Sequence, residues 1–355
     1  MTENLDFGRS PDEVGLLADM SEMRRERALF MDNLYGTHLE TGVDTVVRQK
    51  LSRLTEEAAA AAHGYRNEGR ALFVIGETGA GKTRIINEAF DRMPELRAKR
   101  TETSVTSPVA RIVAPSPMTL LQLGHEILHA VGYPVQRKIR ESTIWPEVRK
   151  QLKLRGVRVI YIDEGQHMLA WQNPQEMEKL ANTLKNTIQQ RDWPVWFVVS
   201  GLPELADFLN WDGQLYRRSE VLRLQPIRFP AHRDLLAWIV EGIVETHAGM
   251  TLGVKVGDGE QTLVPDELLN RLCHAAWSQF GIIIELVRGT VEQALVRDTD
   301  ATSVEYADFV AAYKAFSGCA SDQNVMKAKN WHEIDPQEAI QKVRTARYSK
   351  PHGKG

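Results

Sequence analysis

Eight consecutive residues, GETGAGKT at 76–83, constrain the fold of this chain more than any other feature of its sequence. They match the full GxxxxGK[ST] pattern and follow a short apolar segment, RALFVIG, at 70–76. In such a loop the glycines let backbone N–H groups turn inward around phosphate oxygens, and the N-terminus of the next helix adds positive potential. A chance glycine-rich turn is the alternative, but it does not account for a strand and a helix in register on either side. The sequence therefore predicts a phosphate-binding loop in an α/β fold.

The residues of this loop have separate predicted tasks in binding ATP. Lys82 is expected to reach the β- and γ-phosphates, and the Thr83 hydroxyl is expected to ligand Mg²⁺. The other loop residues are expected to surround the phosphates; they are Gly76, Glu77, Thr78, Gly79, Ala80 and Gly81. ATP and Mg²⁺ are therefore the predicted cofactors.

Two adjacent carboxylates stand at the end of a second apolar segment, VRVIYID at 157–163. The carboxyl ends of parallel strands are where open α/β sheets bind ligands. Asp163 is expected to hold Mg²⁺, directly or through water. Glu164 is expected to polarise the attacking water as general base. The alternative, a pair that only begins the next helix, is weakened by the phosphate-binding loop some 80 residues upstream.

Two weaker candidates for the same site follow further along the chain. Ser200 ends the apolar segment PVWFVVSG, where a polar residue can sense the γ-phosphate, although a turn residue would also fit there. Arg217 and Arg218 precede the last apolar segment. An arginine at that point can reach the nucleotide site of a neighbouring subunit, although exposed arginines are usually only solvated. The sequence does not choose between the two arginines.

Apolar strands alternate with helical segments after the loop, which indicates a parallel sheet with helices on both faces. Strands are predicted at 70–76, 109–114, 157–163, 194–201 and 220–227. After Pro230 the predicted segments are helical, at 231–248, 265–277, 280–297 and 303–317. We expect a helical extension at 1–65, an α/β nucleotide-binding domain at 66–229, a small all-helical lid at 230–317 and a basic tail at 318–355. The polar tail is expected to be partly disordered and to bind a partner, with Trp331 suited to docking.

The order of these parts resembles that of an AAA+ ATPase. More narrowly, IYIDEGQHML at 160–169 and SGLPEL at 200–205, together with Gln214-Leu215, resemble the TniB/TnsC family of transposition ATPases, relatives of the phage target-DNA ATPase MuB. The resemblance covers roughly residues 40–300. It implies a homo-oligomeric ring or filament that forms on target DNA with ATP, marks the insertion site and recruits or activates a transposase. It further implies slow hydrolysis that promotes disassembly, and leaves room for a target-selection adaptor protein.

The same resemblance places contacts to double-stranded DNA between the second and third strands. The matching residues here are Arg137, Lys138, Arg140 and Thr143. Cations beside a hydroxyl suit phosphate contacts, which position a protein without recognising base sequence. Without the resemblance, an ordinary charged loop would be the favoured interpretation.

One position departs from the AAA+ pattern. Many AAA+ proteins carry a lid arginine three residues after a glycine that opens a helix. Here Gly281 is followed at that spacing by Ile284, and Arg288 one turn later could substitute. A missing lid arginine predicts a weaker link between the lid and the nucleotide state.

Several other classes of protein are disfavoured by the sequence. Cys273 and Cys319, the two cysteines, form no CxxC pair, which argues against a disulfide scaffold or zinc module and fits a reducing cytoplasm. No apolar run of about 18 residues and no signal peptide is recognisable, so neither a membrane span nor export is expected. An AAA+ replication initiator or helicase-loader-like ATPase is the main alternative, but it would normally carry a DNA-reading domain after the lid. A signalling scaffold would need a sensor domain, and none is recognisable.

Overall fold

The computed structural model describes residues 17, 19–61, 68–100, 105–135, 139–169, 173–190, 192–254 and 263–338. The chain divides into two compact units, and we describe each by itself. The sheet unit comprises residues 40–227 and 279–282. The helical unit comprises residues 1–39, 228–278 and 283–355.

A five-stranded parallel sheet forms the centre of the sheet unit. The strands of the chain, in order, begin with β1 (Ala71–Ile75), the short antiparallel pair β2 (Lys99–Arg100) and β3 (Val105–Thr106), β4 (Val109–Val113), β5 (Val159–Asp163), β6 (Trp196–Gly201) and β7 (Ser219–Arg223). The central sheet has the order β4-β5-β6-β1-β7, and all its neighbours pair in parallel. Strands β1 and β5 lie inside the sheet. Because both run parallel to β6, the segments that follow them emerge at the same edge of the sheet.

Helices cover both faces of this sheet. Their bounds are Gly42–Ala61, Lys82–Arg92, Leu120–Ala130, Glu141–Leu154, Pro174–Ile188, Glu204–Trp211 and Gly213–Arg217. Alternate residues of β1 enter different cores: Phe73 packs with the cluster that includes Leu123, and Leu72 and Val74 pack with the cluster that includes Phe90. Burial on both faces explains why β1, β5 and β6 are apolar at nearly every position. The predicted α/β class is confirmed.

The last predicted strand is shorter in the structure than in the sequence analysis. Strand β7 ends at Arg223, not near residue 227. Arg223 lies opposite Ile75, the last residue of β1, and β1 gives way there to the loop that begins at Gly76. Beyond Arg223, strand β7 therefore no longer has β1 beside it to pair with.

The helical unit contains helices Glu22–Gly36, Arg233–Glu241, Asp266–Ala275, Phe280–Arg297 and Tyr306–Ser317, and a π-helical turn at Gly242–His247. The first turn of Phe280–Arg297 is grouped with the sheet unit. The sequence analysis missed a two-residue parallel pair, β8 (Thr251–Leu252) with β9 (Ser303–Val304). The last of these helices begins at Tyr306, after β9, because Glu305 and Asp308 form a reciprocal capping box.

The described parts of the predicted N-terminal extension and C-terminal tail fall within the two units. The extension at 1–65 is divided, with Glu22–Gly36 in the helical unit and Gly42–Ala61 in the sheet unit. Residues 318–338 also pack within the helical unit, whereas 339–355 lie outside the described residues. Val325 is buried, and its carbonyl accepts a 2.8 Å hydrogen bond from Arg271. The ring of Trp331, the residue suited to docking a partner, lies 5.3 Å from that of His274 in the same unit.

Among the described residues, no helix combines the length and the apolar character that crossing a bilayer requires.

Candidate nucleotide site

The phosphate-binding loop leaves the end of β1 and enters helix Lys82–Arg92. Gly79 and Gly81 have φ angles of +81° and +87°, a region that side chains other than glycine rarely adopt. A Cβ atom at Gly76 would lie 3.2 Å from the Cβ of Ala80, so this turn also has little room. The backbone path of the loop therefore depends on glycine, as the motif predicted.

Lys82 lies beneath this loop with its ammonium group held by carbonyl oxygens. Its Nζ donates hydrogen bonds to the carbonyls of Gly76 at 2.7 Å and Glu77 at 2.9 Å. Only 8% of the residue is exposed. Burial lowers the pKa of the Lys82 ammonium, and the carboxylates of Glu164, Asp163 and Glu77 partly oppose that shift. The site thus holds a desolvated cation beside glycine amides, a combination that fits the phosphate chain of a nucleotide.

Asp163 is the hydrogen-bonding centre of the site. Its Oδ2 accepts a 2.7 Å hydrogen bond from the Thr83 hydroxyl, which joins the end of β5 to the loop. Its Oδ1 accepts hydrogen bonds from the Ser200 hydroxyl and, at 3.0 Å, from the Glu164 amide. Ser200 is fully buried, and its hydroxyl also lies 3.0 Å from the Tyr161 hydroxyl. The structure therefore places Ser200 against Asp163, in a chain of hydrogen bonds that reaches Thr83.

The chemistry of these side chains suits Mg²⁺. The Thr83 hydroxyl and the Asp163 carboxylate are hard oxygen donors, and Mg²⁺ in proteins is commonly held by one or two carboxylates together with substrate phosphates. Among the described residues, no group of three or more His, Cys, Asp or Glu side chains is placed to hold a metal ion by itself. A cation held by Thr83 and Asp163 would therefore take further ligands from the phosphates of a bound nucleotide.

Glu164 stands next to Asp163 in an unusual backbone conformation. Its φ angle is +54°, in the left-handed region that non-glycine residues seldom occupy. Gln166 holds the side chain: its Nε2 donates to the Glu164 carboxylate, and its Oε1 accepts a 3.2 Å hydrogen bond from the Leu202 amide. Backbone strain of this kind concentrates at functional sites, where the surroundings enforce it. The sequence analysis assigned no role to Gln166, and the signal was a polar amide two residues after the carboxylate pair.

The structure separates the two candidate arginines. Arg218 Nε lies 3.2 Å from a Glu68 carboxylate oxygen, and its Nη1 donates to the Gln214 carbonyl. Arg217 is exposed at the end of helix Gly213–Arg217, and within the described part of the chain its side chain forms no hydrogen bond or ion pair. Of the two, Arg217 is therefore the side chain available to another molecule.

A partly buried ion pair fixes the helix that carries Arg217. Asp212 caps Gly213–Arg217 by accepting hydrogen bonds from the amides of Gln214 and Leu215. Its carboxylate also accepts a 2.8 Å hydrogen bond from Lys185, and both side chains are 12% exposed. Burial opposes ionisation of Asp212, but these hydrogen bonds outweigh it and hold its pKa below the ordinary value.

Of the four candidate DNA-contacting residues, two lie within the described part of the chain. Arg137 and Lys138 lie outside the described residues. Arg140 is exposed and directly precedes helix Glu141–Leu154. The Thr143 hydroxyl donates a 2.9 Å hydrogen bond to the Arg140 carbonyl, so its proton is used within the first turn of that helix.

Arg288, which could have replaced the lid arginine, is engaged within the helical unit. It donates a hydrogen bond to the Thr37 carbonyl, and its guanidinium lies over the Tyr35 ring at 5.7 Å from the centroid. These contacts hold it to the C-terminal end of helix Glu22–Gly36 and to the residue that follows.

Comparison with known proteins gives a family and a fold. The sequence model of the bacterial TniB protein family matches residues 45–229. No curated protein matches the chain. The structure is similar to the ORC2 protein of Aeropyrum pernix in its ADPNP–ADP complexes, with a TM-score of 0.54 and 17% identity over 79% of this chain and 69% of that chain. It is also similar to the ORC1 protein of Aeropyrum pernix in complex with DNA, with a TM-score of 0.53 and 19% identity over 82% and 70%. At such identities the likeness establishes the fold alone, that of an AAA+ P-loop protein.

Proposed function

The chain belongs to the bacterial TniB family, and from that premise we propose that it is an ATP-dependent, DNA-binding regulator of DNA transposition. In this proposal it oligomerises on target DNA as a ring or filament, marks the insertion site and recruits or activates a transposase. ATP hydrolysis promotes disassembly of the oligomer.

Nucleotide binding is assigned to the loop and Asp163. The ammonium of Lys82 exchanges its two carbonyl partners for the oxygens of the β- and γ-phosphates, while the loop amides surround the same phosphates. Thr83 and Asp163 would hold Mg²⁺, which when bound neutralises charge on the phosphates. Ser200 fixes the orientation of the Asp163 carboxylate from the side of β6.

Hydrolysis is assigned to Glu164 as general base. Its carboxylate accepts a proton from the attacking water, and Gln166 keeps the carboxylate oriented for that transfer. Arg217 acts in a neighbouring copy of the chain, where its guanidinium stabilises charge that develops on the transferred phosphoryl group. A single copy would then hold a complete binding site but an incomplete hydrolytic site.

The observation that carries this proposal is the hydrogen-bonded connection from Thr83 through Asp163 to Ser200. It joins the phosphate-binding loop to the ends of two neighbouring strands, which is what a nucleotide-dependent change in the loop requires in order to reach the rest of the sheet. Residues 45–229, matched by the TniB family, contain all three side chains.

Electron microscopy with a non-hydrolysable ATP analogue tests the proposal directly. The wild-type protein should form rings or filaments on non-specific duplex DNA only when the nucleotide is present. Lys82→Ala should not assemble, because it lacks the main cation that faces the phosphates. Glu164→Gln should assemble with ATP itself and persist. If the particles are the same with and without nucleotide and DNA, the parts of the proposal that concern assembly and DNA binding are overturned.

An AAA+ replication initiator or helicase-loader-like ATPase is the alternative function. The two are separated by adding the assembled protein either to a transposase with donor and target DNA or to a replicative helicase with forked DNA. Stimulated strand transfer into DNA covered by the protein supports the transposition role. Helicase loading without such stimulation supports the alternative.

A further inference from the structure

The helical turn formed by Phe280, Gly281 and Ile282, about 200 positions after the phosphate-binding loop, lies against that loop. The Gly281 amide donates a 2.7 Å hydrogen bond to the carbonyl of Gly79. The Ile282 side chain lies directly over Gly79, since a Cβ atom built there would be 2.5 Å from two of its carbons. The Phe280 ring is 3.5 Å from the position of a Cβ atom at Gly81. Three consecutive residues thus contact both left-handed glycines of the loop.

Only glycine can occupy position 281 with this contact intact. A Cβ atom at Gly281 would be 2.6 Å from the Gly79 carbonyl oxygen and 3.3 Å from the Gly81 amide nitrogen. Both are backbone atoms, which cannot rotate away as a side chain can. Gly289 in the same helix is different, because a Cβ atom there would meet only the Ala312 Cβ at an ordinary 3.7 Å.

The contact fixes the shape of the loop. The Gly79 carbonyl belongs to the planar peptide unit whose N–H is that of Ala80. Holding the carbonyl towards Gly281 directs this N–H to the opposite side, where it donates a 3.1 Å hydrogen bond to the Glu77 carbonyl. A side chain at position 281 would also approach the Gly81 amide to 3.3 Å, and that amide is among those expected to face phosphate.

The residues just before this turn are held in an unfavourable conformation. Trp277 and Ser278 both have positive φ angles, of 52° and 63°. Two consecutive non-glycine residues in the left-handed region persist only where surrounding contacts enforce them. Their amides donate to the carbonyls of His274 and Cys273, which closes the end of helix Asp266–Ala275. The backbone conformation with which the chain enters residues 279–282 is therefore fixed by the hydrogen bonds of Trp277 and Ser278 as well as by the contact with the loop.

We propose that Gly281 is a positioning residue for ATP binding, and that its backbone hydrogen bond to Gly79 couples the phosphate-binding loop to the turn at residues 279–282. This inference rests on the proposed function of the loop. The contact is made through backbone atoms of the turn and the loop, so a change in the loop on nucleotide binding would reach residues 279–282 without a charged side chain.

The test compares Gly281→Ala with Gly289→Ala and the wild-type protein. Equilibrium binding of a fluorescent ATP analogue and thermal unfolding with and without Mg-ATP are measured for each. Gly281→Ala should bind nucleotide at least about tenfold more weakly, because the loop amides are displaced from their phosphate-binding positions. Without nucleotide its melting temperature should fall below that of Gly289→Ala, because backbone atoms must shift, and the increase on adding Mg-ATP should be largely lost. A purely structural role would lower only the nucleotide-free melting temperature and leave the affinity of the folded fraction and the Mg-ATP increase unchanged.

A measurement on the wild-type protein decides the matter if Gly281→Ala does not fold. Hydrogen exchange of the peptide that spans residues 279–284 should slow when ATP binds, together with exchange of the loop peptide. Loop protection without any change at 279–284 would overturn the coupling. The two levels of the proposal fail separately: a wild-type protein that binds no ATP defeats the proposed function, whereas equal ATP affinity in Gly281→Ala and Gly289→Ala defeats only this inference.

Discussion

Gln166 holds the carboxylate of Glu164 by a hydrogen bond from its side-chain amide. The other end of the same amide accepts the Leu202 N–H, and Gly201 leaves space for it, since a Cβ atom there would lie 2.5 Å from Gln166 Oε1. Glu164 has a left-handed backbone at φ +54°. Its carboxylate is thus oriented both by its own backbone and by a neighbour that is itself fixed to the end of β6.

Replacing Gln166 should slow hydrolysis without weakening nucleotide binding. In Gln166→Ala the Glu164 carboxylate loses its fixed orientation, and we expect ATP turnover to fall by roughly tenfold to a hundredfold. Steady-state phosphate release and equilibrium binding of ATP measure the two effects. The matched control is Gln175→Ala, at an exposed position outside the site. Turnover equal to that of the control would show that Gln166 does not position Glu164.

The affinity for ATP should decrease as the pH rises. Burial lowers the pKa of Lys82 below its ordinary value of 10.5 in the nucleotide-free protein. Phosphate binds the protonated ammonium, so affinity is greatest below that lowered pKa and declines as the pH rises through it. Titrating the ATP dissociation constant from about pH 7 to about pH 10 checks this. Lys82→Ala should bind weakly at every pH, and a wild-type profile that stays flat across this range would contradict the prediction.

Arg217, not Arg218, should be required for hydrolysis in the oligomer. Arg217→Ala should bind ATP normally but lose turnover by a factor on the order of 10³, because the charge supplied to the neighbouring site is missing. Arg218→Ala should mainly remove its contacts with Glu68 and Gln214, at a cost in stability of about 1 kcal/mol or less.

Mixing two inactive variants shows whether Arg217 acts between copies. Glu164→Gln lacks the base but retains Arg217, and Arg217→Ala retains the base. If the arginine acts in a neighbour, an equimolar mixture should hydrolyse ATP faster than either variant alone. A mixture no faster than its components would show that Arg217 does not act in a neighbouring copy.

The Asp212–Lys185 pair should make the free energy of unfolding depend on pH under acid conditions. The pKa of Asp212 is lowered on folding, so its ionised form contributes stability above its ordinary pKa of 3.8, and this contribution is lost as the pH falls through the lowered value. Asp212→Asn removes this pH dependence but keeps an acceptor for the helix amides. Asp212→Ala removes the cap too and should cost about 1 kcal/mol more. Urea unfolding at neutral and acid pH compares the variants; equal stabilities would contradict the capping role.

Arg140 should contribute to DNA affinity through phosphate alone. Arg140→Ala should weaken binding to all duplex sequences alike and reduce the slope of log affinity against log salt by about 1. Lys179→Ala is the control, because Lys179 is an exposed cation on another helix and is paired with Glu176. Fluorescence anisotropy at several salt concentrations, with the nucleotide analogue present, measures both slopes.

Sequence patterns predicted the parts of this protein that are encoded locally. The loop at 76–83, the apolar strands and the Asp163–Glu164 pair each depend on adjacent residues, and the parallel sheet brings strand ends to one edge without further information. The Gly281–Gly79 contact joins distant residues through backbone atoms, so no side-chain pattern signals it. Arg217 and Arg218 became distinguishable only from their orientation.

Residues 318–338, the described part of the tail, show the same limit of sequence-based prediction. Val325 and Met326 are two apolar residues in the polar stretch 318–355, which its composition predicted to be partly disordered. Both are buried, and the carbonyls around them are bonded by the guanidinium of Arg271. A short buried pair of this kind has no periodicity from which packing could be inferred.

The hydrogen bond between Gly281 and Gly79 also has a consequence for the order in which the protein matures during synthesis. The two residues are about 200 positions apart, so the loop is translated long before the glycine that holds its carbonyl. Contacts of such separation form late, after the local elements of each region are in place. A nascent chain that has not yet extended past residue 282 can fold much of its sheet but lacks the turn that shapes its phosphate-binding loop. Under the proposed function, ATP binding and assembly on DNA would then begin only after residues 279–282 have left the ribosome.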